Sequence, residues 1–205
     1  MTWQELLAAT GGSSPAEGVA AAAGVLYVIL AIVQSRLCWV AGFLSTAIYL
    51  YVFYRSHLYM QAGLQAYYVA AAVYGWWAWR SDAAGAALPV TRAGLRVQLL
   101  GLAAVLAAAW TSAAWLASRT GSRDPLLDSL TTWASLFATW LVTRKKIDNW
   151  AWWLVVDALI LALCWRQKLY PSVFMYGLYI GLAFIGWRSW YRDMTRTDFR
   201  RSAVG

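Results

Sequence analysis

Residues 58–79 read LYMQAGLQAYYVAAAVYGWWAW, and residues 169–190 read LYPSVFMYGLYIGLAFIGWRSW. Offset by 111 residues, the two stretches agree at Leu58/Leu169, Tyr59/Tyr170, Tyr68/Tyr179, Gly75/Gly186, Trp76/Trp187 and Trp79/Trp190. Each stretch is almost uncharged and long enough to cross a hydrocarbon layer of about 30 Å as a helix. The register continues upstream without a gap, through Arg55/Arg166 and Trp39/Trp150 to Glu17/Asp128. Single aromatic matches mean little in a chain with 15 Trp, but an unbroken register from residue 16 to residue 80 indicates an internal duplication.

Working outward, apolar spans are expected at Val19–Val33, Trp39–Tyr54, Leu58–Trp79, Leu95–Leu116, Pro125–Val142, Trp150–Trp165 and Tyr170–Trp190. The composition agrees: 61% of the 205 residues are hydrophobic and 13% charged, against about a quarter charged in a soluble domain. Trp and Tyr collect at the two headgroup levels of a bilayer. The fold class expected is an all-α membrane protein of seven transmembrane helices. Each duplicated unit has three spans and one span lies between them, so the second unit returns in the orientation of the first, a parallel 3+1+3 repeat. The chain divides into an outside N-terminal segment (1–15), repeat 1 (16–80), a linker with the fourth span (81–120), repeat 2 (121–191) and a basic cytoplasmic tail (192–205). Gly63, Gly75, Gly177 and Gly181 are expected to let helices approach closely.

Seven spans place Arg36, Arg80, Arg92, Arg96, Arg144, Lys145, Lys146, Arg188, Arg192, Arg196, Arg200 and Arg201 on one side, and Arg55, Arg119, Arg123, Arg166 and Lys168 on the other. The positive-inside rule makes the first side cytoplasmic, with the N-terminus outside and the C-terminus inside. The opening Met-Thr-Trp-Gln-Glu lacks the basic n-region of a cleavable signal. Cys38 and Cys164 fall at opposite ends of the bundle, too far apart for a disulfide. The net charge of +8 sits in short loops between apolar runs, which argues for membrane topology and against nucleic-acid binding.

Polar groups at membrane depth carry the functional reading. Asp157 lies seven residues, about 10 Å of helix rise, inside the Trp150 end of its span. It reads either as a hydrogen-bonded or protonated structural carboxyl or as the counter-charge for a cationic solute. Trp150, Trp153 and Asp157 share one helix face at i, i+3 and i+7, and rings beside a carboxylate suit a flat cation. Thr46, the duplicate of Asp157, and the adjacent Ser45 offer different chemistry at the same depth. Gln61, Gln65, Tyr68, Tyr176 and Tyr179 supply hydrogen bonds for a ribose or an amide. Asp128, Thr131 and Thr132 open the fifth span, either as a helix cap or as a gate.

Other classes fail on named residues. A retinal protein needs a lysine within a span, yet Lys145, Lys146 and Lys168 fall in loops. An intramembrane serine protease needs an embedded His, and the sole histidine, His57, is in a loop. The two candidate carboxylates, Asp128 and Asp157, lie at different depths, unlike those of an aspartyl protease. There is no metal-ligand cluster and no phosphate-binding Gly-rich loop, so neither a metal nor a nucleotide cofactor is expected. A transporter and a non-catalytic membrane scaffold remain, and parallel repeats favour the transporter, with its substrate near the midplane between the repeats.

The segments Gly42-Phe-Leu-Ser-Thr, Leu58-Tyr59, Leu64-Gln65 with Tyr67-Tyr68, Gly75-Trp-Trp-x-Trp79, Asp128-Ser-Leu-Thr-Thr132, Trp150-x-x-Trp153 and Leu169-Tyr170, taken in order, resemble the PnuC family of nicotinamide riboside transporters. The resemblance runs from Glu17 to Trp190. It implies a fold like a full-length version of the SWEET sugar transporters, in a bacterial inner membrane. It implies uptake of an NAD precursor by facilitated diffusion, with a cytoplasmic kinase that traps the substrate, and a homo-oligomer, a trimer by family habit. The implied substrates are nicotinamide riboside or, in relatives, thiamin, both with cationic rings. Ser45 and Asp157 stand where many riboside carriers have Asn, and Thr139 where some have Gln, which keeps thiamin open.

Overall fold

The computed structural model describes residues 15–57, 59–80, 88–119, 124–166, 168 and 170–202. These form seven helices: α1 (Pro15–Ile32), α2 (Cys38–Arg55), α3 (Tyr59–Ala78), α4 (Leu95–Arg119), α5 (Pro125–Thr143), α6 (Asn149–Arg166) and α7 (Tyr170–Ser202). Most of the N-terminal segment, Leu58, Leu169 and Arg123 lie outside the described residues. All seven expected spans are helices. The last runs further than its apolar stretch, so the first part of the expected tail, residues 192–202, continues α7 as helix. Nothing breaks the helix after Gly186, because neither Gly nor Pro recurs before Gly205.

The helix ends follow local chemistry. Pro15 and Pro125 open α1 and α5, where a missing N–H costs nothing. Both helices close on a residue in the left-handed region, Gln34 (φ 57°) and Lys145 (φ 47°). Beyond each, a bond reaches back to close the last turn: Ser35 N–H to Leu30 O and Lys146 N–H to Leu141 O, both 2.9 Å. His57 (φ 59°) and Lys168 (φ 60°) take the same left-handed conformation after α2 and α6. These four are the non-glycine residues of positive φ among those described, and they form two pairs separated by the same 111 positions.

Helices adjacent in sequence pack as α1–α2–α3 and α5–α6–α7, with α4 lying on α5. Between the groups, α3 packs on α5 and α1 on α7. A buried cluster built around four tryptophans joins the two groups at one end. Trp39 meets Trp79 edge-on at 5.3 Å, Trp79 meets Trp190 at 6.0 Å, and Trp190 meets Trp150 edge-on at 5.5 Å. The indole N–H of Trp79 donates to Val142 O at 3.2 Å, and that of Trp190 donates to Ala31 O at 3.0 Å. Donors and acceptors are again offset by 111. Residues 88–93 cover this end: Thr91 bridges Lys146, and Ala93 N–H donates to Asp148 Oδ2 at 2.6 Å.

A Cβ at Gly75 would run into the Trp39 ring, one at Gly186 into Trp150, and one at Gly101 into Phe137. The expectation for Gly75 therefore holds, whereas that for the others does not. Gly63 and Gly181 face open space, and Gly177 has only an ordinary contact with Leu161. Apolar side chains cover the outside of the bundle, with Trp110 71% and Phe174 79% exposed, as on a surface solvated by lipid rather than water. By length and composition alone, α1 and α4 can cross a bilayer. Cys38 and Cys164 are both buried free thiols.

Candidate functional site

The α6 sequence from Trp150 to Trp165 is apolar apart from one carboxylate, and its helical twist turns that group inward. Asp157 is only 6% exposed. It interacts electrostatically with Tyr68 of α3 and with Tyr176 and Tyr179 of α7. The last two follow each other at i, i+3, with ring centroids 6.2 Å apart, so α7 offers both phenols on one face. Of the sequence candidates, the fold thus gathers Asp157, Tyr68, Tyr176 and Tyr179.

Ser45 reaches the same region from the other side. A Cβ at Gly24 of α1 would lie 3.3 Å from both Ser45 Oγ and Tyr179 Oη. The Ser45 hydroxyl donates to Ala20 O at 2.8 Å, tying α2 to α1. The Thr46 hydroxyl donates to Gly42 O at 2.8 Å within its own helix. Gln65 Oε1 is buried without a partner, the kind of acceptor that a polar solute or water satisfies. Gln61, one turn before Gln65 on the same helix face, is exposed.

The two tryptophans separate. Trp150 is 4% exposed and packs within the four-Trp cluster against Trp190 and Gly186, leaving its indole N–H without an acceptor. Trp39, its duplicate, is buried in the same state. Trp153 lies one turn further along and packs against both buried clusters of the molecule. Trp150 therefore belongs to the floor beneath Asp157, while Trp153 is the ring nearer the carboxylate level.

At the start of α5 the cap position is Asp124, not Asp128. Asp124 also lies 3.8 Å from Arg166. Asp128 occupies the first turn, where its charge favours the helix dipole, and its backbone carbonyl accepts from Thr132 Oγ1 at 2.7 Å and Thr131 Oγ1 at 3.1 Å. Sequence reading missed the continuation of this polar stripe. Thr131, Ser135 and Thr139 are all buried at i, i+4 and i+8, each donating to the carbonyl four residues back. Ser135 also lies within hydrogen-bonding reach of Tyr68. The i, i+4 spacing of hydroxyls inside an apolar run was the available signal.

The site is a central polar patch: one buried carboxylate, three phenols from two helices and a hydroxyl stripe on α5, above a tryptophan floor. Among the described residues no cluster fits a metal ion. Nothing here pairs a nucleophile with a base, and the arrangement is suited to holding a polar, flat solute.

The family described as nicotinamide mononucleotide transporter matches residues 14–192. The chain is 26% identical over 200 residues to the nicotinamide riboside transporter PnuC of Escherichia coli, covering 85% of this chain and 84% of that one. It is 28% identical over 172 residues to the riboflavin/roseoflavin transporter RibM of Streptomyces davaonensis, covering 82% and 80%. Among solved structures, the crystal structure of the vitamin B3 transporter PnuC is similar with a TM-score of 0.72 at 26% identity, covering 94% of this chain and 87% of that one.

Proposed function

The chain belongs to the nicotinamide mononucleotide transporter family, is a multi-pass membrane transporter and not an enzyme, and from that premise we propose that it carries nicotinamide riboside into the cell. The observation that carries the substrate is the buried Asp157 facing Tyr68, Tyr176 and Tyr179. A pyridinium ring is flat and cationic, so a carboxylate offsets its charge and aromatic faces hold its plane. Trp153 supports the ring, while Gln65, Ser45 and the α5 hydroxyls meet the ribose. Gln61, Thr46, Asp128, Thr131 and Thr132 line the route or hold helix geometry.

The mechanism proposed is facilitated diffusion. The parallel 3+1+3 arrangement is supported by the paired helix ends and by the reciprocal Trp79–Val142 and Trp190–Ala31 bonds. Two similar three-helix units rock about the central patch, exposing it to one side at a time. Phosphorylation by a cytoplasmic kinase keeps imported substrate inside, and the working form is a homo-oligomer, a trimer by family habit. The bacterial inner membrane is the location that the family implies, and the charge asymmetry of the loops supports an N-terminus outside and a C-terminus inside.

Two other substrates have specific support. Thiamin shares the cationic flat ring, and similarity to a riboflavin transporter raises a neutral flavin. Calorimetric titration of the purified protein with nicotinamide riboside, thiamin and riboflavin separates them. Saturable binding of the riboside in preference to the other two is expected. A preference for riboflavin would remove the counter-charge reading, and binding of none would leave a transporter of another solute.

A further inference from the structure

The two seams between the helix groups, α3 on α5 and α1 on α7, share a backbone plan but not a surface. At the tryptophan-rich end of the first seam stand Tyr74 of α3, Trp140 of α5 and Arg144, the residue that closes α5. The positions offset by 111 on the second seam are Ile185, Ile29 and Val33. All six face outward, with exposures such as 44% for Tyr74 and 57% for Ile185. At these three positions one seam presents aliphatic groups, with the exposed Arg188 one turn beyond Ile185, and the other presents a cation between two rings.

The Arg144 guanidinium is held in place. Its Cζ lies 5.5 Å from the Tyr74 ring centre and 6.0 Å from that of Trp140, so one ring from each helix flanks it. No carboxylate pairs with it among the described residues. The nearby acids are engaged elsewhere: Asp148 accepts from Ala93 N–H and Asp193 accepts from Gln34 Nε2 at 2.6 Å. Arg80, stacked on Trp77 at 5.0 Å, adds a second cation at the same end of α3. A free arginine snorkels toward any headgroup. One fixed by rings on two helices, at the edge of an apolar wall, presents its N–H donors at one place, and planar guanidinium donors match phosphate oxygens.

We propose that Arg144, Tyr74 and Trp140 form a binding site for the phosphate of an anionic phospholipid in the adjacent leaflet. The acyl chains would lie along the α3–α5 seam. Because the site spans the two helix groups, a lipid bound there fastens one group to the other, and among the described residues no cation lies between two rings on the second seam. This inference stands apart from the identity of the transported solute.

The test uses the full chain in a neutral detergent, with thermal midpoints and native mass spectrometry read against added phosphatidylglycerol or phosphatidylcholine. Phosphatidylglycerol is expected to raise the midpoint and leave one retained adduct per chain, and phosphatidylcholine to do neither. Arg144→Gln, and separately Tyr74→Leu with Trp140→Leu, should raise the phosphatidylglycerol concentration needed by about fivefold or more. Arg192→Gln, at an exposed position on α7, should leave it unchanged. The proposal is overturned if Arg144→Gln keeps the full response, if Arg192→Gln loses as much, or if phosphatidylcholine or inorganic phosphate gives the same shift. The adduct count is taken on folded protein, so a variant of lower stability still reports on the site.

Discussion

Asp157 is an expensive residue to keep. A carboxylate 6% exposed within an apolar helix destabilises the bundle unless something compensates its charge, and the three phenols that interact with it electrostatically bring no cation. If a cationic ring supplies the missing charge, Asp157→Asn should keep the shape and remove the attraction. Affinity for nicotinamide riboside should then fall about tenfold, or about 1.4 kcal/mol, while the protein melts no earlier than wild type. Equal riboside binding by Asp157→Asn in a calorimetric titration would reject the role. This residue was legible in the sequence because a lone acid in an apolar run is conspicuous. Trp150 was not, because i, i+3 spacing assigns a helix face but not what lies opposite each turn. Trp150 meets Trp190 and Gly186, partners 40 and 36 residues away.

Lys145 is a second residue whose setting has a measurable consequence. It is 4% exposed, in the turn after α5, with its ammonium 4.6 Å from the Trp79 ring centre. Burial pulls its pKa below the ordinary lysine value, against the opposing influence of Cys38 and Asp193. The folded state therefore binds this proton less readily than the unfolded chain. On that account stability rises with pH, from the depressed folded pKa up to the unfolded value of about 10.4. Lys145→Met should flatten that alkaline rise in the thermal midpoint. An unchanged slope would mean that the ring contact fully offsets the desolvation.

Among the elements, the glycines separate close packing from open surface. At Gly186 a side chain meets the Trp150 ring, whereas at Gly181, on the same helix, it meets nothing within 4 Å. Gly186→Val should therefore cost about 1–3 kcal/mol through overpacking, and Gly181→Val should leave the thermal midpoint in detergent close to wild type. Comparable losses at both positions would show that something other than the indole contact sets the cost, because Val is a better helix former than Gly. The Gly177-xxx-Gly181 spacing looked like a packing motif, but spacing cannot tell which face of α7 meets a neighbour. The length of α7 was hidden for a related reason. The apolar signal stops at Trp190 where the environment changes, while the helical backbone, which needs only the absence of breakers, continues to Ser202.

For the whole molecule, the duplication was the most legible feature, since it needs only residue identities at a fixed offset. Its physical use was not legible. The indoles of Trp79 and Trp190 each cross to the opposite group, donate to the last carbonyls of α5 and α1, and touch each other at 6.0 Å. On the proposed rocking of the two units, these crossed bonds are expected to hold one end of the bundle together. Removing either donor, by Trp79→Phe or Trp190→Phe, should cost about 1 kcal/mol. Because the rings are in contact, the double variant should depart from the sum of the two. Cys38 reports the opening directly, being fully buried in the same cluster as the four tryptophans. In a Cys164→Ser background it is the only thiol left. A membrane-impermeant maleimide should then label Cys38 faster in either phenylalanine variant than in the parent, and most slowly when substrate is withheld from the opposite face. Faster unfolding without faster labelling of the folded protein would make the crossed bonds plain packing and move the closure to another level of the bundle.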